Sequence, residues 1–74
     1  MQNYYEIIKG LREDKDMTQT QVAKMLGTDQ SYYAKYENGK HPIPINHLKT
    51  LCMIFGVSAD YILGLPKGLK YPER

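Results

Sequence analysis

Gln30, Ser31, Ala34 and Lys35 occupy positions that share one flank of a helix, and all four are types that can meet a base pair. A glutamine amide offers one acceptor and a pair of donors, which suit N6 and N7 of adenine. A lysine ammonium reaches O6 and N7 of guanine, and an alanine methyl can touch the methyl of thymine. Serine is shorter, so its hydroxyl reaches one base atom or one phosphate oxygen. Base contact is expected of Gln30 and Lys35 first, with Ser31 and Ala34 beside them. The plainer alternative is a solvated helix surface.

Such a flank needs a scaffold, and the neighbouring residues supply one. Val22 and Leu26 fall at i, i+4, and Tyr33 and Tyr36 at i, i+3, so two consecutive helices each turn an apolar stripe inward. Ala23 is small where a second helix must cross close above the first. Gly27, between the two stretches, can take the positive φ that a sharp inter-helix turn often needs. From Gln19 to Tyr36 the spacing is that of a helix-turn-helix.

The run MTQTQVAKMLGTDQSYYAKYENGK, residues 17–40, resembles the phage-repressor type of helix-turn-helix, the Cro and cI or Xre-like family. The similarity extends from about Ile8 to Gly64. Leu11-Arg12-Glu13 resembles the end of the family's first helix, and Glu37-Asn38-Gly39 its ENG signature. Residues 56–64, GVSADYILG, are similar to its common GVS-x-DYLLG ending. Any one tripeptide is weak, but three in order and spacing are specific.

The resemblance implies an all-α fold, a compact five-helix Cro/cI-repressor-like DNA-binding domain over residues 1–64. The helix-turn-helix would be helices two and three, followed by a short C-terminal tail over 65–74. It also implies DNA phosphate contacts at Gln19 and in the loop Asn38-Gly39-Lys40, where backbone amides and the Lys40 cation would meet the phosphates. A solvated helix start is the alternative for Gln19, and simple capping by Asn38-Gly39 is compatible with the loop's role. Arg12 and Glu37 match a family pair that bridges helix one to the end of helix three, a planar fork against a carboxylate.

Two tyrosines need separate treatment. Tyr32 is rotated about 100° from Tyr33 along the helix. It can lay its hydroxyl on a phosphate, set its ring against a thymine methyl, or pack along helix four or the loop. Tyr33 departs from the family, which usually has a smaller aliphatic residue there. Its hydroxyl must find a partner or reach solvent.

The expected elements are five helices and no strands. Helix one runs from about Asn3 to Asp14, with Tyr4, Ile8 and Leu11 on one face. Thr18 caps helix two with Gln21 reaching back, and the helix ends before Gly27. Asp29 caps helix three, and Asn38-Gly39 closes it. Lys40 to Pro44 is a stiff loop, because proline fixes φ and restricts the preceding residue. Helix four runs from about Ile45 to Phe55, with Ile45, Leu48, Leu51, Cys52 and Phe55 on its apolar stripe. Ser58 caps helix five and Gly64 stops it.

The bulk properties bound the function. Seventy-four residues make one domain, and a single cysteine rules out an internal disulfide and fits a reducing cytosol. No apolar run approaches the roughly 20 residues of a membrane span, and residues 1–6 lack a signal-peptide pattern, so a cytoplasmic location is expected. Net charge is +2, with four basic and two acidic residues between positions 17 and 49. That balance permits nucleic-acid binding and equally fits a solvated surface.

No catalytic constellation is legible. His41 and His47 flank two prolines without a second pair of metal-ligand residues, so no metal is expected. Cys52 sits on the stripe of helix four as a small hydrophobe, five residues from His47 and poorly angled for it. The expectation is a non-enzyme without cofactors. It would be a small stand-alone transcriptional regulator, a repressor, binding an inverted-repeat operator of double-stranded DNA as a homodimer. Ile62, Leu63 and Leu65 are the expected dimer contacts. The alternative is a protein-interaction module, such as the antitoxin of a toxin-antitoxin pair.

Overall fold

The computed structural model describes residues 3–66, which form five helices and no strand. They are α1 (Tyr4–Asp14), α2 (Gln19–Leu26), α3 (Gln30–Glu37), α4 (Ile45–Phe55) and α5 (Ala59–Leu63). The expected tail from Leu65 to Arg74 lies, beyond Pro66, outside the described residues.

Four of the five helices start at a side chain that bonds a backbone amide, and α4 instead opens after Pro44 without a side-chain cap. The Glu6 carboxylate accepts the Asn3 amide at 3.3 Å ahead of α1. At α2, Gln21 N donates to Thr18 Oγ1 at 3.1 Å while Thr18 N donates to Gln21 Oε1 at 2.8 Å. Asp29 Oδ1 accepts Tyr32 N at 2.7 Å, and Ser58 Oγ accepts Tyr61 N at 3.3 Å. Caps of this kind are worth about 1 kcal/mol each. Between α2 and α3, Gly27 adopts φ 77°, and Thr28 N then reaches back to the Ala23 carbonyl at 2.9 Å. This left-handed residue makes the turn short.

All five helices contribute to one core, made of Ile8, Val22, Ala23, Leu26, Tyr33, Tyr36, Leu51, Phe55 and Ile62. α2 packs on α3, and α3 also rests against α1, which in turn holds α4 and α5. The inner face of α3 is therefore clamped by two helices, and its outer face is left free.

The structure changes two assignments on the apolar faces. Ile45 is 85% exposed and stands outside the core. Six residues of helix place it about 120° around the axis from the buried Leu51, too far to share its face. Ile62 is wholly buried in the protein's own core, so it is not available as a dimer contact. Leu63, about 100° further round the short α5, is exposed together with Leu65 and Tyr61.

Candidate nucleic-acid interface

The two sides of α3 have separate roles. Tyr33, Tyr36 and Glu37 are buried, while Gln30, Ser31 and Lys35 are exposed and Ala34 is half-buried. The four candidate base-contact residues thus lie on the side of α3 away from the core. Ala34 has the least of its surface available.

Behind that face runs a chain of hydrogen bonds. Gln30 Nε2 donates to Gln19 Oε1 at 2.6 Å, and Gln19 Nε2 donates to Glu37 Oε1 at 3.0 Å. Arg12 grips the same carboxylate with two donors, Nε to Oε2 at 2.7 Å and Nη2 to Oε1 at 3.1 Å. Its remaining arm, Nη1, donates to the Met17 carbonyl at 2.8 Å. The bidentate pair ties α1 to the end of α3, and the Glu37 side chain is only 1% exposed. Gln19, the candidate phosphate contact at the start of α2, thereby meets the first residue of α3.

Burial alone would raise the Glu37 pKa, but the hydrogen bonds from Arg12 and Gln19 outweigh it and hold the carboxyl below its ordinary range. The same bond to Glu37 raises the pKa of Arg12 against the opposing effect of burial. Glu37 is thus an anion neutralised from behind. The exposed charges of the candidate interface are Lys35 and Lys40, with Asp29 engaged in capping α3.

Tyr33 does not meet the expectation that its hydroxyl would be partnered or solvated. The side chain is fully buried and the hydroxyl has no hydrogen-bond partner. Burial first, and the nearby Glu37 carboxylate second, drive its pKa far above the ordinary value. The Glu37 carboxylate is the acceptor near enough to influence it, without meeting hydrogen-bond geometry.

The loop after α3 also differs in detail. Gly39, at φ 73°, lets its own amide bond the Tyr36 carbonyl at 3.2 Å and the Lys40 amide bond the Lys35 carbonyl at 2.9 Å. The amides of Asn38 and His41 are likewise used, on the Ala34 and Lys35 carbonyls. Helix closure therefore engages the backbone donors that were expected to meet phosphate. The exposed side chains of Asn38 and Lys40 are what this loop can offer instead.

Tyr32 packs against the loop. Its ring stacks on His41, with centroids 5.2 Å apart and planes at 17°, and meets Tyr36 edge-on at 5.5 Å. It is still 41% exposed, so part of the side chain faces outward from that stack.

Residues 8–62 match the helix-turn-helix family. The chain belongs to that family. The HTH-type transcriptional regulator YobD of Bacillus subtilis is 36% identical over 62 residues, which cover 84% of this chain and 55% of YobD. The antitoxin PezA of Streptococcus pneumoniae is 34% identical over 66 residues, covering 89% of this chain and 42% of PezA. The chain thus spans about half the length of these relatives. Among solved structures, the P22 c2 repressor in complex with a synthetic operator superposes with a TM-score of 0.79. The likeness covers 85% of this chain and 96% of that one at 24% identity, and it establishes an all-helical phage-repressor fold.

Packing of Tyr32 on the loop was one of the open alternatives, but its partner there was not named, nor was the link from α3 to α4. His41 covers Tyr32, and the Tyr36 hydroxyl lies 2.8 Å from His47 Nδ1 on α4. The stiffness of the loop carrying Pro42 and Pro44 was visible, but not the side chain it would lay over α3. The Gln19–Gln30 bond was also missed. Two amides eleven residues apart, one half-buried and one exposed, carry no periodic signal.

Proposed function

We propose that this chain binds double-stranded DNA sequence-specifically as a transcriptional regulator, a repressor, with α3 in the major groove. The observation that carries the reading is the 2.6 Å bond between Gln30 and Gln19. It joins a residue suited to a base edge with one suited to a phosphate, where the first residues of α2 and α3 meet. Gln30 and Lys35 read bases, with Ser31 and Ala34 beside them. Gln19, Asn38 and Lys40 position the backbone, and Tyr32 adds its exposed edge. The operator complex of the P22 c2 repressor, whose fold this chain shares, supports that docking.

The protein acts as a homodimer on an inverted repeat, its half-sites about 34 Å apart. The exposed Leu63 and Leu65, with Tyr61, form the contact. Binding and release require no bond to form or break, so the chain is not an enzyme and needs no cofactor. It works in the cytoplasm, where it meets its DNA.

The test selects bound sequences from a random duplex pool, then titrates salt against selected and scrambled duplexes. Gln30→Ala should erase preference at one position of each half-site. Lys40→Ala should weaken all duplexes alike and lower the salt slope by about one unit per protomer. A folded wild type without salt-dependent binding to any duplex would overturn the reading. The match to PezA favours a second one, an antitoxin that sequesters a protein, and that result would bring it forward.

A further inference from the structure

We infer that Glu37 is a positioning residue for readout: it fixes which way the Gln30 amide faces the base, and so a preference for adenine over guanine. The inference rests on the base contact proposed above for Gln30.

The argument follows from donors and acceptors. An ionised carboxylate can only accept hydrogen bonds. Glu37 is held in its charged form by Arg12, so the atom of Gln19 that approaches it at 3.0 Å has to be the amide nitrogen. That turns Gln19 Oε1 toward Gln30. An amide oxygen also only accepts, so the atom of Gln30 that meets it at 2.6 Å is again the nitrogen. One Gln30 hydrogen is committed inward. One N–H and the carbonyl oxygen are left to face the groove.

That remaining pair complements adenine, whose N7 accepts and whose N6 donates. Guanine presents acceptors at both N7 and O6, and the Gln30 oxygen would face O6 acceptor against acceptor. A free glutamine can rotate its amide by half a turn to present nitrogen instead. Here the buried charge at the far end of the chain selects one orientation. Without the carboxylate the chain can run backwards, with Gln19 donating to Gln30 Oε1. Both Gln30 hydrogens would then be free for guanine.

The experiment compares wild type, Glu37→Gln, and Arg12→Met combined with Glu37→Met. Duplexes differ only by A or G at the position where Gln30→Ala erases preference. The wild-type ratio should be at least about fivefold for adenine, the low end for a bidentate contact, and should fall within about twofold in both variants. Preferences at the other positions should persist. Thermal melting of each protein reports the folded fraction. The Met pair keeps the fold testable if Glu37→Gln fails to fold, because an apolar pair can replace a buried ion pair without loss. A merely structural Glu37 would lower affinity for both duplexes together and leave the ratio intact, and that outcome overturns the inference alone. A wild type that binds no duplex, or a Gln30→Ala variant that changes no position, removes the proposed readout and this inference with it.

Discussion

Tyr36 on α3 and His47 on α4 are joined on the core side of α3, hydroxyl to Nδ1 at 2.8 Å. The Tyr36 ring is fully buried and also meets Tyr32 and Tyr33 edge-on, at 5.5 and 6.1 Å. This hydrogen bond adds a direct link from α3 to α4 to the clamp that α1 and α2 form. Its hydroxyl pKa is raised, by burial first and Tyr32 second, so the group stays protonated at neutral pH.

Replacing that hydroxyl removes one hydrogen bond and keeps the packing. Tyr36→Phe should lower stability by about 1 kcal/mol, the net worth of a typical protein hydrogen bond. For a domain this small the melting temperature should fall by about 4–8 °C. Differential scanning calorimetry checks this, and an unchanged melting temperature would mean that the contact contributes nothing net.

Breaking the Arg12–Glu37 pair from one side should be far more damaging than removing it whole. Arg12→Ala leaves a carboxylate of 1% exposure with only Gln19 to satisfy it. The expected loss is about 3 kcal/mol, the low end for a broken buried pair, because Arg12 keeps some contact with solvent. Arg12→Met with Glu37→Met should stay close to wild type. The pH dependence carries the opposite check. Because the folded-state pKa of Glu37 is lowered, its contribution is complete above the unfolded value near 4.5. It is lost as pH falls through the lower folded value. The stability difference between wild type and the Met pair should therefore be flat at neutral pH and shift against wild type in acid. Urea denaturation of both proteins across that range measures it.

The buried Tyr33 hydroxyl without a hydrogen-bond partner is a cost to the fold. Tyr33→Phe keeps the ring and its edge-on contact with Tyr36 while removing the unsatisfied atom. Leaving a buried polar group unpaired costs about 1–3 kcal/mol, so the variant should be neutral or more stable by about 1 kcal/mol. A loss of comparable size in urea denaturation would mean that the hydroxyl is bonded, with Glu37 the nearest acceptor to suspect.

The helices and their ends were legible because their causes are local. Thr18 with Gln21, Asp29, Gly27 and Ser58 act within a turn of where they stand, and the chain records that directly. The inward faces of α2 and α3 were legible for the same reason, since period alone places Val22, Tyr33 and Tyr36. Ile45 and Ile62 were misassigned because burial depends on how a helix is rotated against its neighbours, which no single helix encodes. The candidate site divides along that line. Which residues of α3 face outward could be read from the sequence. That Gln30 is tied through Gln19 to a buried anion could not, because the tie leaves α3 for α2 and returns.

Gly39 and Gly27 both close helices in the left-handed region, at φ 73° and 77°, yet their surroundings differ. A Cβ at Gly27 would meet nothing within 4 Å, whereas one at Gly39 would lie 2.8 Å from Cε1 of the Tyr5 ring. Gly27→Ala should therefore cost only the strain of the conformation, about 1–2 kcal/mol. Gly39→Ala should cost that and the displacement of Tyr5, whose hydroxyl accepts from Asn3 Nδ2 at 2.9 Å. The ring is the far end of a flexible side chain at the start of α1, so the additional loss should be small, under about 1 kcal/mol on the scale of off-rotamer strain. Measured against Tyr5→Ala alone, adding Gly39→Ala should cost only the backbone part, equal to Gly27→Ala in the wild type. Urea denaturation of Gly27→Ala, Gly39→Ala, Tyr5→Ala and the Gly39→Ala, Tyr5→Ala double variant decides it. A Gly39→Ala loss that Tyr5→Ala does not relieve would assign the whole effect to the backbone.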